Sequence, residues 1–332
     1  MHPEKIFITG ATGYIGHQLA LAAANKGYAV HALVRDIASS NVPRHPAIRL
    51  FKGDITDYAT VVPAMQGCTY VMHAAALAQM WNKDRSLFYK VNVEGTRHVL
   101  EACLQTGVKK MVLTSTCGVL GPSSGRPVSA DEPRTTGFDN DYEISKHCAE
   151  ELAMEYHKKG LHTVVVRPSR VYGPGLNTGA NPINKLIRNV LQRGIAFIPA
   201  QKEAYGNYAF IDDVVYGHFR ALQDGINGQR YNLGGENLAY DTFFKTIRAQ
   251  SGRSISLVPV PTAVLQVWAA CVFGVHLLIG KHTHMTPKVV RRLLQNRAVC
   301  SQKSIAELGY NITPFSQGIH RTIVHLKKSQ HV

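Results

Sequence analysis

The first half of the chain alternates short apolar runs, rich in β-branched residues, with longer stretches in which apolar residues recur at helical spacing. Three of the four intervening helical segments close on a glycine, a common helix end. Strands that alternate with helices in this way are typical of a parallel sheet with crossover helices. The predicted strands are "KIFIT" (5–9), "AVHALV" (29–34), "IRLFKG" (48–53), "YVMHAA" (70–75), "KMVLTS" (110–115) and "HTVVVRP" (162–168).

The pattern weakens after Gly173, where Gly, Pro and Asn become frequent. One more helix is predicted at "FIDDVVYGHFRAL" (210–222) and one more strand at "QRYNLGG" (229–235). We therefore expect an α/β protein with two parts. The first is a domain at 1–172, to which 207–235 returns. The second is smaller and mostly helical, and is formed by 173–206 and 236–332.

Composition indicates a globular protein, because 45% of the 332 residues are hydrophobic. The six cysteines are scattered without a Cys-x-x-Cys pair, and no His cluster has metal-ligand spacing. We therefore expect free thiols, no metal site and a cytoplasmic location. The first apolar run, Ile6 to Ile8, leads directly into a glycine loop, so no cleavable signal peptide is expected.

Positive charge is concentrated near the C-terminus. The formal net charge is +15, and Lys281 to Val332 holds nine Lys or Arg against one acid, Glu307. A basic face attracts phosphates, nucleic acid or anionic lipid, although a solvated face without a partner is commoner. No motif with interleaved basic and aromatic residues appears, so we expect no nucleic-acid partner.

A glycine loop, "TGATGYIG", follows the first predicted strand and opens the first predicted helix. Glycines at this place let backbone amides at the positive end of the helix approach a pyrophosphate. The first part of the chain is therefore predicted to be a Rossmann-type, doubly wound domain that binds a dinucleotide. The loop residues assigned to this contact are Gly10, Thr12, Gly13, Tyr14, Ile15 and Gly16.

The residues at the ends of the next strands indicate which dinucleotide is bound and where its adenosine lies. In this fold the end of the second strand faces the adenosine ribose, where arginine suits the 2′-phosphate of NADP and an acid suits NAD. Arg35 therefore favours NADP(H), while Asp36 keeps NAD(H) open. Asp54 follows the third strand, either as an acceptor for the adenine amino group or as a helix cap. Small residues in "HAAA" leave space for the cofactor beside the backbone. This second set of contacts is Asp54, Ile55, Ala74, Ala75 and Ala76.

Tyr142 and Lys146 lie four residues apart in "DYEISKHCAEE", so a helix places them on one face. A free tyrosine has a pKa of about 10 and is a poor base at neutral pH. A nearby cation favours the phenolate and lowers that pKa. Lys146 would supply this charge and hold the nicotinamide ribose. Tyr142 would then exchange a proton with a carbonyl or alcohol oxygen.

The order of motifs adds a resemblance to these arguments. The glycine loop, "GDITD", "HAAA", "VNVEGT", "TSTCGVLG", "YEISK", "RPSRVYGPG" and "FIDDVV" follow one another over residues 4 to 235. This order resembles the extended short-chain dehydrogenases/reductases of the NAD-dependent epimerase/dehydratase family. It is most similar to dihydroflavonol reductases and 3β-hydroxysteroid dehydrogenases. The resemblance implies that Tyr142 and Lys146 are catalytic residues and that Thr116 is the third catalytic residue, with Ser115 as the fallback. It also implies cofactor contacts at Asn92, Thr114 and Pro168. For Asn92, a purely structural amide is an equal alternative.

The family includes reductases, epimerases and dehydratases. Dehydratases that resemble this chain carry Thr-Asp-Glu where this sequence has Thr116, Cys117 and Gly118, so elimination is not expected. The stretch "GNYAFIDDVV" lacks the charged pair that helps sugar-nucleotide enzymes bind a diphosphate, and Leu120 replaces a common tyrosine. We therefore expect an NADP-dependent oxidoreductase for a bulky, largely apolar ketone or alcohol, such as a steroid, flavonoid, terpenoid or lipid. An NAD-dependent nucleotide-sugar epimerase and a non-catalytic dinucleotide-binding scaffold are the alternatives.

A second apolar segment, "AVLQVWAACVFGVHLLIG" (263–280), supports an apolar substrate. Three interpretations are open: a helix that covers the substrate pocket, an interfacial membrane helix, and a spanning helix. The pocket cover is slightly favoured. In the interfacial case, peripheral contact would extend over 263–292, with Lys281, Lys288, Arg291 and Arg292 above the headgroups. A homodimer is also expected.

Overall fold

The computed structural model describes residues 3–179, 181–200, 204–279, 290–292 and 294–328. The strands are β1 (Lys5–Thr9), β2 (Ala29–Val34), β3 (Ile48–Lys52), β4 (Tyr70–His73), β5 (Lys110–Thr114), β6 (Thr163–Pro168), β7 (Arg170–Tyr172), β8 (Ile195–Pro199), β9 (Tyr205–Phe210), β10 (Arg230–Leu233), β11 (Glu236–Ala239) and β12 (Ser256–Val260). The helices are α1 (Tyr14–Asn25), α2 (Tyr58–Met65), α3 (Ser86–Tyr89), α4 (Gly95–Thr106), α5 (Asp141–Lys158), α6 (Pro182–Arg193), α7 (Ile211–Gln223), α8 (Tyr240–Ser251), α9 (Thr262–Leu278), α10 (Gln302–Leu308) and α11 (Phe315–Lys328).

The main sheet is parallel and has the order β3-β2-β1-β4-β5-β6-β10. The chain moves outwards from β1 in both directions, so the strand order reverses between β1 and β4. Ligands bind at the carboxyl ends of the strands beside such a reversal. The predicted fold class is confirmed, and the predicted strands agree with the observed ones within two residues at either end.

Helices cover both faces of this sheet, which is why its strands read as continuous apolar runs. Alternate residues of β1 show the two layers. Ile6 and Ile8 pack with Leu19 of α1, whereas Phe7 packs with Val99 of α4 on the opposite face. All three β1 side chains are fully buried.

The second half contains elements that the pattern did not predict. Strands β7, β9 and β11 form a separate sheet, and β8 pairs with β12. An aromatic cluster of Tyr172, Tyr208, Phe210, Phe243 and Phe315 joins this sheet to α8 and α11. Helix α10 instead packs on β10 and α7 of the first domain. The division near residue 172 stays a prediction.

The apolar segment at 263–280 forms α9 up to Leu278, and Gly280 lies outside the described residues. Among the α9 side chains that the structure describes, Ala269 alone is buried. Val267 is 63% exposed and Leu278 is 88% exposed. This exposure favours a surface role over the cover of a pocket. No helix in the described part of the chain combines the length and apolar character needed to cross a membrane.

Candidate active site

The glycine loop lies where β1 runs into α1. Gly10 has φ +74°, and a Cβ there would lie 2.6 Å from the Ala75 nitrogen. A Cβ on Gly16 would lie 2.2 Å from the Gly10 oxygen. These close approaches require glycine at both positions. The N-cap of α1, Gly13, has no side chain to bond the first amides of the helix, so they point outwards without a protein cap. The loop therefore fits a pyrophosphate.

Tyr14 differs from the other loop residues. Its hydroxyl donates to the Gly173 carbonyl at 2.7 Å, and its ring is buried in the aromatic core of the second half. The Tyr14 side chain thus ties α1 to the loop after β7, and a cofactor contact of Tyr14 through its backbone stays a prediction. Ile15 is partly buried between two apolar clusters. Thr12 lies in the loop itself and stays a prediction.

The ends of β2 and β3 hold the residues predicted to face the adenosine. Arg35 is exposed and makes no hydrogen bond or ion pair within the described ranges. Asp36 instead accepts a hydrogen bond from the Ala38 nitrogen at 2.9 Å. Asp54 Oδ1 accepts from the nitrogen and hydroxyl of Thr56. The alternative of Asp54 as a helix cap is wrong, because Asp57 caps α2 through the Ala59 nitrogen.

Small residues follow β4 as predicted. Ala74, Ala75 and Ala76 are partly exposed, and the Ala75 nitrogen donates to the Thr9 hydroxyl. Ile55 is buried, and a Cβ on Gly95 would lie 2.7 Å from its Cδ1. Ile55 thus packs against the start of α4. Its contact with a cofactor stays a prediction, as do those of the three alanines.

Tyr142 and Lys146 lie in the first two turns of α5. The Asn140 side chain caps this helix by accepting from the Glu143 nitrogen, which places the start of the helix at Asp141. Lys146 is 1% exposed, and its Nζ donates to the Thr114 carbonyl at 2.7 Å. Burial lowers the pKa of Lys146 to about 8, while the Glu150 carboxylate opposes that shift. The lysine is therefore a buried cation directed at the end of β5.

A lowered pKa of the Tyr142 phenol was expected from Lys146 together with the positive nicotinamide ring, and this combined effect stays a prediction. Burial raises the pKa of Tyr142 to about 12, against smaller lowering effects of the Arg292 cation and a hydrogen bond with Thr116. Lys146 is bound to the Thr114 carbonyl instead, so in this arrangement the expected effect of Lys146 is not observed.

Thr116 lies beside Tyr142 and also caps the 3-10 turn at Cys117–Leu120, where its hydroxyl accepts from the Gly118 nitrogen at 3.0 Å. The fallback, Ser115, is buried next to the Glu150 carboxylate and lowers its pKa. The geometry therefore brings Thr116, rather than Ser115, to the tyrosine. Thr114 and Pro168 close the neighbouring strands β5 and β6. The Thr114 hydroxyl bonds His218.

Asn92 lies in a π-helical turn at Lys90–Glu94, a feature frequent at functional sites. Its Oδ1 accepts from the Leu77 nitrogen at 2.7 Å, and its Nδ2 donates to the Ser145 hydroxyl at 2.9 Å. Ser145 in turn donates to the Tyr142 carbonyl. Asn92 thus joins the loop after Ala76 to the catalytic helix, which supports the structural alternative. A direct cofactor contact stays a prediction.

A buried arginine cluster adjoins Tyr142 and was missed by the sequence analysis. The fully buried Glu143 carboxylate pairs with Arg134 at 3.2 Å, Arg292 at 2.8 Å and Arg297 at 3.4 Å. Arg297 also pairs with Asp139. The partners lie up to 158 residues apart in the chain, so no local pattern could have indicated them. The three cations outnumber the two acids, which leaves positive charge beside the tyrosine.

This cluster corrects the prediction for the C-terminal charge. Arg292 was expected above lipid headgroups, but it is directed inwards onto Glu143. Lys303 pairs with Asp131, and Arg321 pairs with Asp212. Arg291 is exposed, whereas Lys281 and Lys288 lie outside the described residues. Much of the apparent basic tail therefore neutralises acids of the first domain.

A family model described as the NAD dependent epimerase/dehydratase family (Epimerase) matches residues 6–234, more than half of the chain. The chain belongs to this family. It is an extended short-chain dehydrogenase/reductase and an NAD(P)-dependent enzyme. The match covers the glycine loop, the Tyr142–Lys146 pair and the strands that carry them, in agreement with the resemblance noted from the motifs.

Relatives of this family member include reductases and dehydrogenases. A putative dihydroflavonol 4-reductase from Synechocystis sp. is 29% identical over 328 residues, which cover 95% of this chain and 92% of that protein. A 3-beta-hydroxysteroid dehydrogenase from Mycolicibacterium neoaurum is 26% identical over 323 residues, covering 92% of this chain and 86% of that protein. The UDP-glucuronic acid 4-epimerase from Bacillus cereus, solved in complex with NAD, has the same fold. Its TM-score is 0.76 at 23% identity, over 98% of this chain and 99% of that chain.

Proposed function

We propose that this enzyme interconverts a ketone and a secondary alcohol on a bulky, largely apolar substrate of the steroid, flavonoid, terpenoid or lipid kind. One observation carries the proposal: Tyr142 borders Thr116, and no acid stands at the two positions after Thr116. Cys117 is instead bound through its thiol to the Arg167 carbonyl. The named activities of the two curated relatives agree with this chemistry.

The residues can be given separate tasks. When bound, the nicotinamide cofactor supplies or accepts the hydride. The Tyr142 hydroxyl donates a proton to the substrate oxygen during reduction and accepts one during oxidation. The Thr116 hydroxyl holds and polarises the same oxygen. Lys146 supplies positive charge below the tyrosine and, by this proposal, exchanges its bond with the Thr114 carbonyl for the ribose hydroxyls.

The cofactor preference is proposed to be NADP(H). Arg35 is exposed without a partner among the described residues, so its guanidinium is free to bind a 2′-phosphate. Asp36, the group that would favour NAD(H), already accepts a bond from Ala38. A charge-assisted bond contributes about 1.5–3 kcal/mol, which corresponds to a roughly tenfold or larger preference.

A cofactor-oxidation assay tests the proposal. The loss of reduced NADPH and of NADH is followed by its absorbance with a panel of steroid, flavonoid and fatty ketones. UDP-sugars are incubated separately with NAD⁺ and analysed for the epimeric sugar, because epimerisation returns the hydride to the same sugar and oxidises no NADH overall. We expect turnover with apolar ketones and NADPH, and Arg35→Ala should remove the cofactor preference. Formation of an epimeric UDP-sugar without turnover of any ketone would replace the proposal with the epimerase alternative. Dinucleotide binding without turnover of any substrate would favour a scaffold.

We also propose that α9 contacts a lipid surface, which would bring the enzyme to an apolar substrate. Its larger exposed apolar residues and Cys271 recur at helical spacing and form one stripe, beside which Ala263, Gln266 and Ala270 are also exposed. Neither Asp, Glu, Lys nor Arg occurs between Thr262 and Leu278. The stripe consists of Val264, Val267, Trp268, Cys271, Val275 and Leu278. Homodimerisation and a cytoplasmic location stay predictions.

Vesicle sedimentation measures this contact. Wild type should pellet with phosphatidylserine-containing vesicles, because the apolar stripe enters the headgroup region. Val267→Asp combined with Leu278→Asp should abolish pelleting. Ile226→Asp is the matched control, since Ile226 is also 55% exposed but lies outside α9. Wild type that stays in the supernatant with these vesicles at low salt would contradict the membrane contact.

A further inference from the structure

Arg170 is a partly buried cation that the proposed chemistry does not use. It opens β7, two residues after Pro168 at the end of β6. Its Nη1 donates to the hydroxyls of Tyr208 at 3.1 Å and Tyr240 at 3.2 Å. The guanidinium carbon lies 5.5 Å and 5.8 Å from the centres of the same two rings. Two phenols therefore hold this cation in a defined position.

The second amino group of Arg170 has no partner. Its Nη2 is inaccessible to solvent and makes no hydrogen bond. Within the described ranges, Arg170 also forms no ion pair with an acid inside 4 Å. Glu236 lies in the same row of the sheet, with Tyr208 between them. A buried guanidinium without a carboxylate is costly, and cation–π contacts with neutral phenols offset only part of that cost.

The surrounding chain makes space for this arginine. A Cβ on Gly206 would lie 2.3 Å from Arg170 Nη1, so glycine on β9 admits the guanidinium. The same strand leads towards the catalytic tyrosine, because the Tyr205 carbonyl accepts from the Arg297 nitrogen at 2.9 Å. Arg297 in turn contacts Glu143, the neighbour of Tyr142. Arg170 therefore lies in the second half of the chain, connected through β9 to the active site.

We propose that Arg170 binds an anionic group, a carboxylate or a comparable oxyanion, carried by the substrate at a distance from its reacting carbon. Nη2 would supply the charge-assisted hydrogen bond, and Tyr208 and Tyr240 would fix its direction. The inference rests on the proposed function and narrows the substrate to an amphiphile with an apolar body and an acidic end. The shared chemistry is that of an oxyanion, which a free inorganic ion could also provide.

Binding of a matched ligand pair tests this proposal. The probes are 3-oxo-5β-cholan-24-oic acid and its methyl ester, which differ in charge at one end of an apolar ketone. Titration calorimetry on the protein saturated with NADP⁺ should give about 10- to 100-fold tighter binding of the acid. Arg170→Met should remove this difference, and Arg170→Lys should keep part of it. Equal affinities of wild type for the two probes would overturn the proposal.

Controls separate the other outcomes. NADP⁺ affinity reports whether each variant is folded, and Tyr208→Phe removes one phenol bond while it keeps the charge. If Arg170→Met does not fold, the comparison of acid and ester in wild type decides alone. If inorganic phosphate binds wild type as tightly as the acid does, Arg170 is part of a site for a free ion. That result would overturn the proposal that the anion is carried by the substrate. Turnover of uncharged ketones by wild type, together with equal affinities of wild type for the two probes, would leave the proposed function standing and reject this inference.

Discussion

Tyr142→Phe should lower kcat for ketone reduction by about 10²- to 10⁴-fold, the usual contribution of a positioned acid or base. The change removes the phenolic hydroxyl, which carries the transferred proton and is hydrogen-bonded with Thr116, and it leaves the aromatic ring in place. Because the glycine loop and the ends of β2 to β4 lie elsewhere, the affinity for the dinucleotide should stay close to that of wild type. Steady-state kinetics and cofactor titration measure the two effects separately.

Tyr156→Phe is the matched control for this change. Tyr156 lies on the same helix, and its hydroxyl donates to Glu101 Oε1 at 3.0 Å, away from Thr116 and Lys146. Its removal should leave kcat within a few-fold of wild type. Retention of most of the wild-type kcat by Tyr142→Phe would remove Tyr142 from the mechanism and favour another proton donor.

Glu143→Gln should destabilise the protein by about 3–5 kcal/mol, the typical result of leaving a buried charge without its partner. The Glu143 side chain has no exposed surface, and three arginines converge on it. Glutamine keeps the shape of the side chain but leaves those cations without their central counter-charge. The free energy of unfolding from urea titration measures the loss.

A surface pair supplies the comparison. The Arg126 side chain is 71% exposed and pairs with Glu132 at 2.8 Å, so Glu132→Gln should cost less than about 1 kcal/mol. Adding Arg292→Gln to Glu143→Gln should recover part of the stability, since one unpaired cation is removed. If Glu143→Gln lowers the free energy of unfolding as little as Glu132→Gln does, water rather than the Glu143 carboxylate stabilises the three arginines.

Local pattern was a reliable guide wherever a residue's role depends on its near neighbours in the chain. The apolar runs placed all the strands of the main sheet, because strands buried on both faces must be apolar throughout. The four-residue spacing placed Tyr142 and Lys146 on one helix face, and the glycine loop fell between β1 and α1 as predicted. Thr116 was assigned through the resemblance, and the structure places it beside Tyr142.

Local pattern was a poor guide where Gly, Pro and Asn interrupt the apolar runs. Strands β7, β8, β9, β11 and β12 gave little signal, because Gly, Pro and polar residues interrupt this part of the chain and each strand pairs with a distant segment. The N-terminal cap of α2 shows that local pattern can also fail over only a few residues. Asp54 and Asp57 are chemically alike, and only the backbone path decides that Asp57 meets the amide of Ala59.

By itself, the sequence determined the order of the elements of the main sheet, the glycine loop and the placement of Tyr142 and Lys146 on one helix face, because helix period, strand alternation and glycine conformation act over a few residues. The tertiary structure decided the electrostatics. It directed Lys146 to the Thr114 carbonyl, turned Arg292 and Arg297 of the basic tail onto Glu143, and left Nη2 of Arg170 without a partner. Charge and burial depend on which distant residues meet in space, and that information is absent from any short stretch of the chain.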